Sequence, residues 1–151
     1  MRQAIHQLKY RNLRALVVPL AKLLRDYLIT NPVPGEILVP VPMHQKRLRE
    51  RGYNQSNLLA RELGKLTDLT VVDDCLVRQR HTPPQARTST VDERRSNIAD
   101  AFVCRDQRLR NKQVLLIDDV ATSGATLDAC AAVLKACGAA SVWGLVMAKE
   151  I

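Results

Sequence analysis

Aromatic residues are scarce: Tyr10, Tyr27, Tyr53, Phe102 and Trp143 are all the chain has in 151 residues. Stacking platforms for single-stranded nucleic acid need rings set among basic side chains, and no such interleaving occurs. No run approaches the ~20 apolar residues that cross a bilayer. Met1 is followed by a mixed polar segment, not the apolar core of a signal peptide. The four cysteines, Cys75, Cys104, Cys130 and Cys137, form no C-x-x-C pair. Cys130 and Cys137 fall in an Ala- and Leu-rich helical pattern and read as small core residues. The sequence therefore predicts neither disulfides nor a zinc site, and the expected location is a reducing cytoplasm. G-x-x-x-x-G-K-[ST] and G-x-G-x-x-G are absent, which counts against triphosphate and dinucleotide sites. There are no internal repeats. Acidic residues are the minority charge, 15 against 23 basic, for a net charge of +8. That balance suits anionic partners, either phosphate-bearing small molecules or nucleic acid. The shortage of rings favours the first without excluding contact to a DNA backbone.

What the chain does have is the stretch Val114-Leu115-Leu116-Ile117-Asp118-Asp119-Val120-Ala121-Thr122-Ser123-Gly124-Ala125-Thr126. A short, wholly apolar run predicts a strand buried on both faces of a parallel sheet. The acid pair is expected where that strand ends, and in open α/β sheets the ligand crevice lies at the carboxyl ends of strands. Thr122 to Thr126 offers hydroxyls, a glycine and free backbone N–H groups at a helix start, which is a phosphate cradle. Acids beside a phosphate cradle call for a ligand with both hydroxyls and phosphate, and a sugar phosphate fits.

These residues resemble the phosphoribosyl-pyrophosphate (PRPP) signature of type I phosphoribosyltransferases. The resemblance implies that Asp118 and Asp119 hold the ribose diol, directly or through Mg²⁺. It implies that Thr122, Ser123, Gly124, Ala125 and Thr126 wrap the 5′-phosphate. Ala121 departs from the pattern, where a larger aliphatic residue is usual. The implied fold is α/β, a mainly parallel central sheet flanked by helices, with a small hood and a flexible loop.

Residues 3–12 carry a short helical pattern with Ile5 and Leu8 on one side. Residues 13–29 place Leu13, Leu16, Val17, Leu20, Leu24 and Leu28 on one face, and Pro19 is expected to kink or split that helix. The Pro- and Gly-bearing run 31–35 forms a linker. Glu36 to Val41 is a strand candidate that must stop at Pro40 and Pro42, which donate no ladder hydrogen bond. A basic loop follows. Four of the six residues from Lys46 to Arg51 are basic, Gly52 permits a turn, and Asn54 or Ser56 caps a helix beginning near Gln55. A basic segment after a strand and ahead of a helix N-terminus is an anion site.

The run Pro42, Arg47, Arg51, Gly52, Tyr53, Asn54, Gln55 resembles the ComF/GntX branch of the phosphoribosyltransferases, as does Ile5-His6-Gln7-Leu8-Lys9-Tyr10. In that light Arg47 and Arg51 bind pyrophosphate, with Lys46 and Arg49 nearby. Members of the branch usually carry an N-terminal four-cysteine zinc module. This chain begins after it, so no zinc is expected here.

Helix 55–67 is amphipathic, with Leu58, Leu59, Leu63 and Leu66 inward and Arg61 and Lys65 outward. Short strands are expected at 69–72 and 75–78. The polar run from Arg78 to Ser89 has the composition of a mobile loop. It resembles the loop that closes over PRPP, with Arg78, Thr82 and Gln85 at positions typical of the ComF branch; a solvated excursion remains the alternative. Thr90-Val91-Asp92-Glu93 is a capping box opening a helix to about Ile98. Ala101 to Cys104 reads as a strand, 105–112 as a solvated basic turn, Thr126 to Cys137 as a helix closed by Gly138, and Ala140 to Met147 as a buried strand. Alternating strands and helices argue a parallel sheet.

The expectation is one domain over 1–151, with a helical segment and linker at 1–35 and the core at 36–151. The implied reaction transfers the phosphoribosyl group of PRPP to a nitrogen nucleophile with release of pyrophosphate. The ComF resemblance adds a second reading, a non-catalytic or regulatory module associated with DNA uptake and utilisation. PRPP or a related ribose phosphate is the expected ligand. Nucleic acid or the uptake machinery, and a second copy of the chain, are the other partners left open.

Overall fold

The computed structural model describes residues 14–79, 90 and 101–150. The helices expected over 3–12 and 90–98 (Thr90 apart), together with Thr82 and Gln85, lie outside the described residues.

A 3₁₀ turn at Arg14–Leu16 leads into α1 (Val17–Thr30), then β1 (Ile37–Pro40), α2 (Gln45–Arg51) and α3 (Gln55–Thr67). β2 (Thr70–Val71), β3 (Leu76–Arg78) and β4 (Phe102–Cys104) follow, then a 3₁₀ turn at Gln107–Leu109, β5 (Gln113–Ala121), α4 (Ala125–Ala136) and β6 (Ser141–Lys149). β2, β1, β5 and β6 lie side by side in that order, every pair parallel. β3 and β4 form a separate antiparallel pair. This is an α/β fold with a mainly parallel sheet flanked by helices.

The period of two along each strand divides the core. Ile37, Val39, Val114 and Leu116 face α4 and the β3–β4 pair, meeting Leu76, Phe102, Cys130 and Leu134. Leu38, Leu115 and Ile117 face the other way onto α1 and α3, meeting Leu20, Leu24, Leu59 and Leu63. Each such fully buried aliphatic side chain contributes about 1.5–3 kcal/mol relative to its exposed state. Gly64 lets α3 settle on β2, because a Cβ there would lie 2.6 Å from Val71 Cγ2.

The structure corrects several expectations. Pro19 does not split α1, which runs unbroken through it. It occupies the third helical position, where its missing N–H has no intrahelical partner to lose. The basic segment is not a loop but a seven-residue helix, α2. His44 caps it, accepting from Lys46 N–H on Nδ1 at 3.1 Å, and Gly52 ends it at φ +83°. Residues 105–112 are not simply a solvated turn. Arg108 is exposed and paired with Asp106 and Asp74, yet Leu109 is wholly buried. The last strand, β6, lies at the sheet's edge, so Trp143 is 46% exposed instead of buried. Among the described residues no helix is long and apolar enough to cross a membrane.

Candidate functional site

β1 and β5 run in register from Ile37 opposite Val114 to Pro40 opposite Ile117. The last bond between them is Val41 N–H to Ile117 O at 2.9 Å. Pro42 has no N–H to continue, so the chain peels away while β5 runs on to Ala121. Asp118 and Asp119 therefore stand inside β5, not at its end as expected. They sit where its neighbour stops, and β6 still pairs them on the far side, Asp118 opposite Val146.

The N-terminus of α3 fills the gap that β1 leaves. Asn54 anchors it twice, donating from Nδ2 to Val41 O at 3.0 Å and accepting from Ser56 N–H at 3.0 Å. That places Ser56 Oγ to donate to Asp118 Oδ1 at 2.9 Å and Gln55 Nε2 to donate to Asp119 Oδ2 at 3.1 Å. Backbone N–H groups of Asp119 and Val120 complete the cage, on Asp118 Oδ1 at 2.9 Å and Asp119 Oδ1 at 2.7 Å. Gln55, Ser56 and Asp119 are all buried, at 7%, 2% and 3% exposure. The two acids are thus unequal. Both oxygens of Asp119 are engaged, whereas no hydrogen bond from a described residue reaches Asp118 Oδ2. Burial, and then the charge of Asp119, push the Asp118 carboxyl up to about 7.

A cleft of about 220 Å³ opens over this pair, lined by Arg47, Arg51, Arg78, Asp118, Asp119 and Thr126 among others. Arg47 and Arg51 lie four residues apart on α2 and so share a face. Lys46 and Arg49 do not line the cleft. Arg51 Nη1 donates to Gln55 Oε1 at 2.9 Å. Arg78, expected where the strand over 75–78 meets the long loop, ends β3. Its guanidinium lies 5.5 Å from the Phe102 ring centre. Burial lowers the Arg78 pKa and the charge of Arg47 lowers it further, while Asp118 opposes both.

The hydroxyl-rich run forms the turn into α4. Ala125 N–H donates to Ser123 Oγ at 3.3 Å, and Gly124 takes φ +80° with open space where a Cβ would sit. The conformation, not room, is what calls for glycine at this position. Only Thr126 of the five predicted phosphate residues lines the cleft itself.

A second cavity of about 530 Å³ adjoins the first and shares Pro42, Met43, Asn54 and Arg78 with it. Its wall includes Tyr53, stacked under Arg14 at 5.3 Å, and the apolar Leu58 and Leu76. Asn57 Oδ1 is buried there with no hydrogen-bond partner among the described residues.

Sequence reasoning missed Gln55 and Ser56 as site residues, naming them only as the helix start and a cap. A polar pair at the first two helical positions, followed by Leu58 and Leu59, was the available signal. Among the described residues no cluster of three or more His, Cys, Asp or Glu is set to hold a metal ion.

Comparison with known proteins shows the family. A family model described as the phosphoribosyl transferase domain matches residues 48–149. Competence protein F of Haemophilus influenzae is 33% identical over 153 residues, covering 95% of this chain and 66% of that protein. The DNA utilization protein YhgH of Escherichia coli K12 is 31% identical over 143 residues, covering 91% of this chain and 62% of its own length. The chain thus spans somewhat less than two thirds of these curated relatives. Among solved structures, the glutamine PRPP amidotransferase of B. subtilis superposes with a TM-score of 0.60 at 16% identity, over 89% of this chain and 26% of that one. A purine phosphoribosyltransferase of Pyrococcus horikoshii does so at 0.54 and 14%, over 87% and 71%. At such identities these structures speak to the fold alone.

Proposed function

The chain belongs to the phosphoribosyl transferase domain family, and on that premise we propose that it binds PRPP and transfers the phosphoribosyl group to a nitrogen nucleophile, releasing pyrophosphate. The observation that carries this reading is the cleft itself, whose lining brings two carboxylates together with Arg47, Arg51 and Arg78. A ligand with a diol at one end of its reacting carbon and a diphosphate at the other matches that set of charges. In the reaction the C1′–O bond to pyrophosphate breaks and a C1′–N bond forms. Arg47 and Arg51 neutralise charge growing on the leaving group, and the acid pair holds the ribose hydroxyls and faces the positive charge growing at C1′. The turn from Thr122 to Thr126 holds the 5′-phosphate at the N-terminus of α4.

Mg²⁺ fits this donor set. It binds through one or two carboxylates plus substrate phosphates, and Asp118 Oδ2 is the oxygen of the pair that no hydrogen bond from a described residue reaches. When bound, it supplies charge neutralisation to the diphosphate. The adjoining cavity suits the nucleophile, since Leu58 and Leu76 give it an apolar wall beside the first cleft. Four free thiols accord with a reducing cytoplasm.

A second reading is a non-catalytic or regulatory module in DNA uptake or utilisation, supported by the names of the two curated relatives and by the net charge of +8. Asp118→Asn with Asp119→Asn separates the two. Under the first, the variant loses its preference for PRPP over pyrophosphate, which lacks the diol, and loses any transferase activity. Under the second, DNA affinity rises as phosphate repulsion is relieved, with no sugar preference to lose. Calorimetric titration of PRPP, pyrophosphate and an oligonucleotide reads both. An unchanged PRPP preference with tighter DNA binding overturns the transferase reading.

A further inference from the structure

Arg51, Gln55 and Asp119 form one chain of hydrogen bonds from the basic side of the cleft to the acidic side. Arg51 Nη1 donates to Gln55 Oε1 at 2.9 Å, and Gln55 Nε2 donates to Asp119 Oδ2 at 3.1 Å. The amide can point only one way. Turned over, its NH₂ would face a guanidinium and its oxygen a carboxylate, two repulsive contacts in place of two bonds. Gln55 is 7% exposed, so water does not replace either contact. It sits at the first position of α3, whose entry is pinned to β1 by the Asn54 bond to Val41 O. The side chain is therefore a short, directional link with both ends charged.

From this geometry we infer that Gln55 is a positioning residue that couples the two halves of the site, making the pyrophosphate arm and the diol-binding acids bind cooperatively. The inference rests on the PRPP reading above. An anion that takes up Arg51 fixes its guanidinium, which fixes the Gln55 amide, which fixes the carboxylate plane of Asp119. A ligand on the acid pair orders the same chain from the other end. Whichever half arrives first bears the cost of ordering, and the second binds a site already set. Such coupling is reciprocal, so each half tightens the other by the same factor. Ser56 makes no comparable link, since its one side-chain bond from the described residues goes to Asp118 Oδ1.

Two substitutions test the link. Gln55→Met keeps the length and removes both bonds. Gln55→Glu keeps the acceptor for Arg51 and replaces the donor facing Asp119 with a second carboxylate. Pyrophosphate and ribose 5-phosphate are titrated with Mg²⁺ into the whole chain, each alone and each in the presence of the other, with circular dichroism confirming the fold. In the native protein ribose 5-phosphate should bind at least ~5-fold more tightly with pyrophosphate present. In Gln55→Met that ratio should fall to about one, while the affinities for the separate ligands change much less. A merely structural role would weaken both single ligands and leave the ratio intact. Gln55→Glu should keep its pyrophosphate affinity and lose ribose 5-phosphate selectively. A native ratio near one, an unchanged ratio in Gln55→Met, or equal losses of both ligands in Gln55→Glu, overturns the coupling. Failure of the native protein to bind either ligand overturns the PRPP reading beneath it.

Discussion

Asp118 and Asp119 stand on a nine-residue strand, and among the described residues Ser56, Gln55 and two backbone N–H groups hydrogen-bond to them. Arg47 and Arg51, which line the same cleft, stand on a seven-residue helix with no buried residue. Both sets of charges serve one site, but they are held in opposite ways. The acids are caged in the ligand-free protein, with the plane of Asp119 resting in part on Gln55, and confining them has a cost that shows in the raised pKa of Asp118. The arginines keep the long, rotatable stems that let a cation follow a phosphate. Because the acid side is fixed, it can specify geometry, whereas the basic side supplies charge with little constraint on position. Gln55 is the one described side chain bonded to both.

The largest effect should come from removing the basic side. Arg47→Ala with Arg51→Ala is expected to weaken pyrophosphate and PRPP by on the order of 1.5–3 kcal/mol for each charged hydrogen bond lost. Ribose 5-phosphate should be affected much less, and thermal stability should fall modestly, because Gln55 Oε1 loses its Arg51 partner although nothing on α2 is itself buried. Calorimetric titration of the three ligands measures this. Equal losses for all three would mean that the arginines set a general field and the comparison between the two sides fails.

The same contrast explains how much the sequence revealed. The apolar run 114–117, the Gly-bearing turn at 122–126 and the strand stop at Pro42 are local features with one structural solution each, so the sheet and the acid pair were legible. The helical state of Gln45–Arg51 was not. Lys, Arg and Glu give no apolar stripe when no residue of a helix is buried, and the cap is His44, a less usual capping residue than Ser, Thr, Asp or Asn. Gln55 and Ser56 were hidden for a different reason. They lie 64 and 62 residues before the acids they touch, and no spacing rule connects them. Arg78 was legible as the last residue of the strand over 75–78, but nothing local to it pointed to the cleft it lines. Trp143 looked buried because an edge strand and a central strand of a parallel sheet share the same apolar composition.

The second effect is smaller and sharpens the acid side. The Asp118 carboxyl is raised to about 7 by burial and by Asp119, above its unfolded value near 3.9. The protonated form is thus favoured by folding. This contribution is fully present below about pH 4 and is lost as pH rises towards 7, after which it changes no further. Stability of the ligand-free protein should therefore fall by on the order of 1–3 kcal/mol between pH 5 and 8 from this group. Denaturant melts of the native chain and Asp118→Asn at both values isolate it, since the amide has no proton to lose. An equal pH dependence in the two proteins would mean that the strain lies elsewhere and that the acid side is less confined than its hydrogen bonds indicate.

The smallest effect tests the basic helix against itself. Lys46 and Arg49 share α2 with Arg47 and Arg51 but do not line the cleft, although the sequence grouped all four as pyrophosphate residues. On a helix, positions one and two apart point in different directions, so Lys46 and Arg49 act on a bound anion only through solvent. At physiological salt, charges beyond about 8 Å are largely screened. Lys46→Ala with Arg49→Ala should therefore change PRPP and pyrophosphate affinity by less than about 0.5 kcal/mol at 0.15 M salt. At 0.01 M the screening length grows to about 30 Å, and both ligands should then weaken together, along with any other anion of equal charge. A selective loss of pyrophosphate at 0.15 M would place these two side chains in direct contact with the ligand. The basic side of the cleft would then have to rearrange on binding, turning a second face of α2 inward, and would be still less fixed than the acid pair opposite.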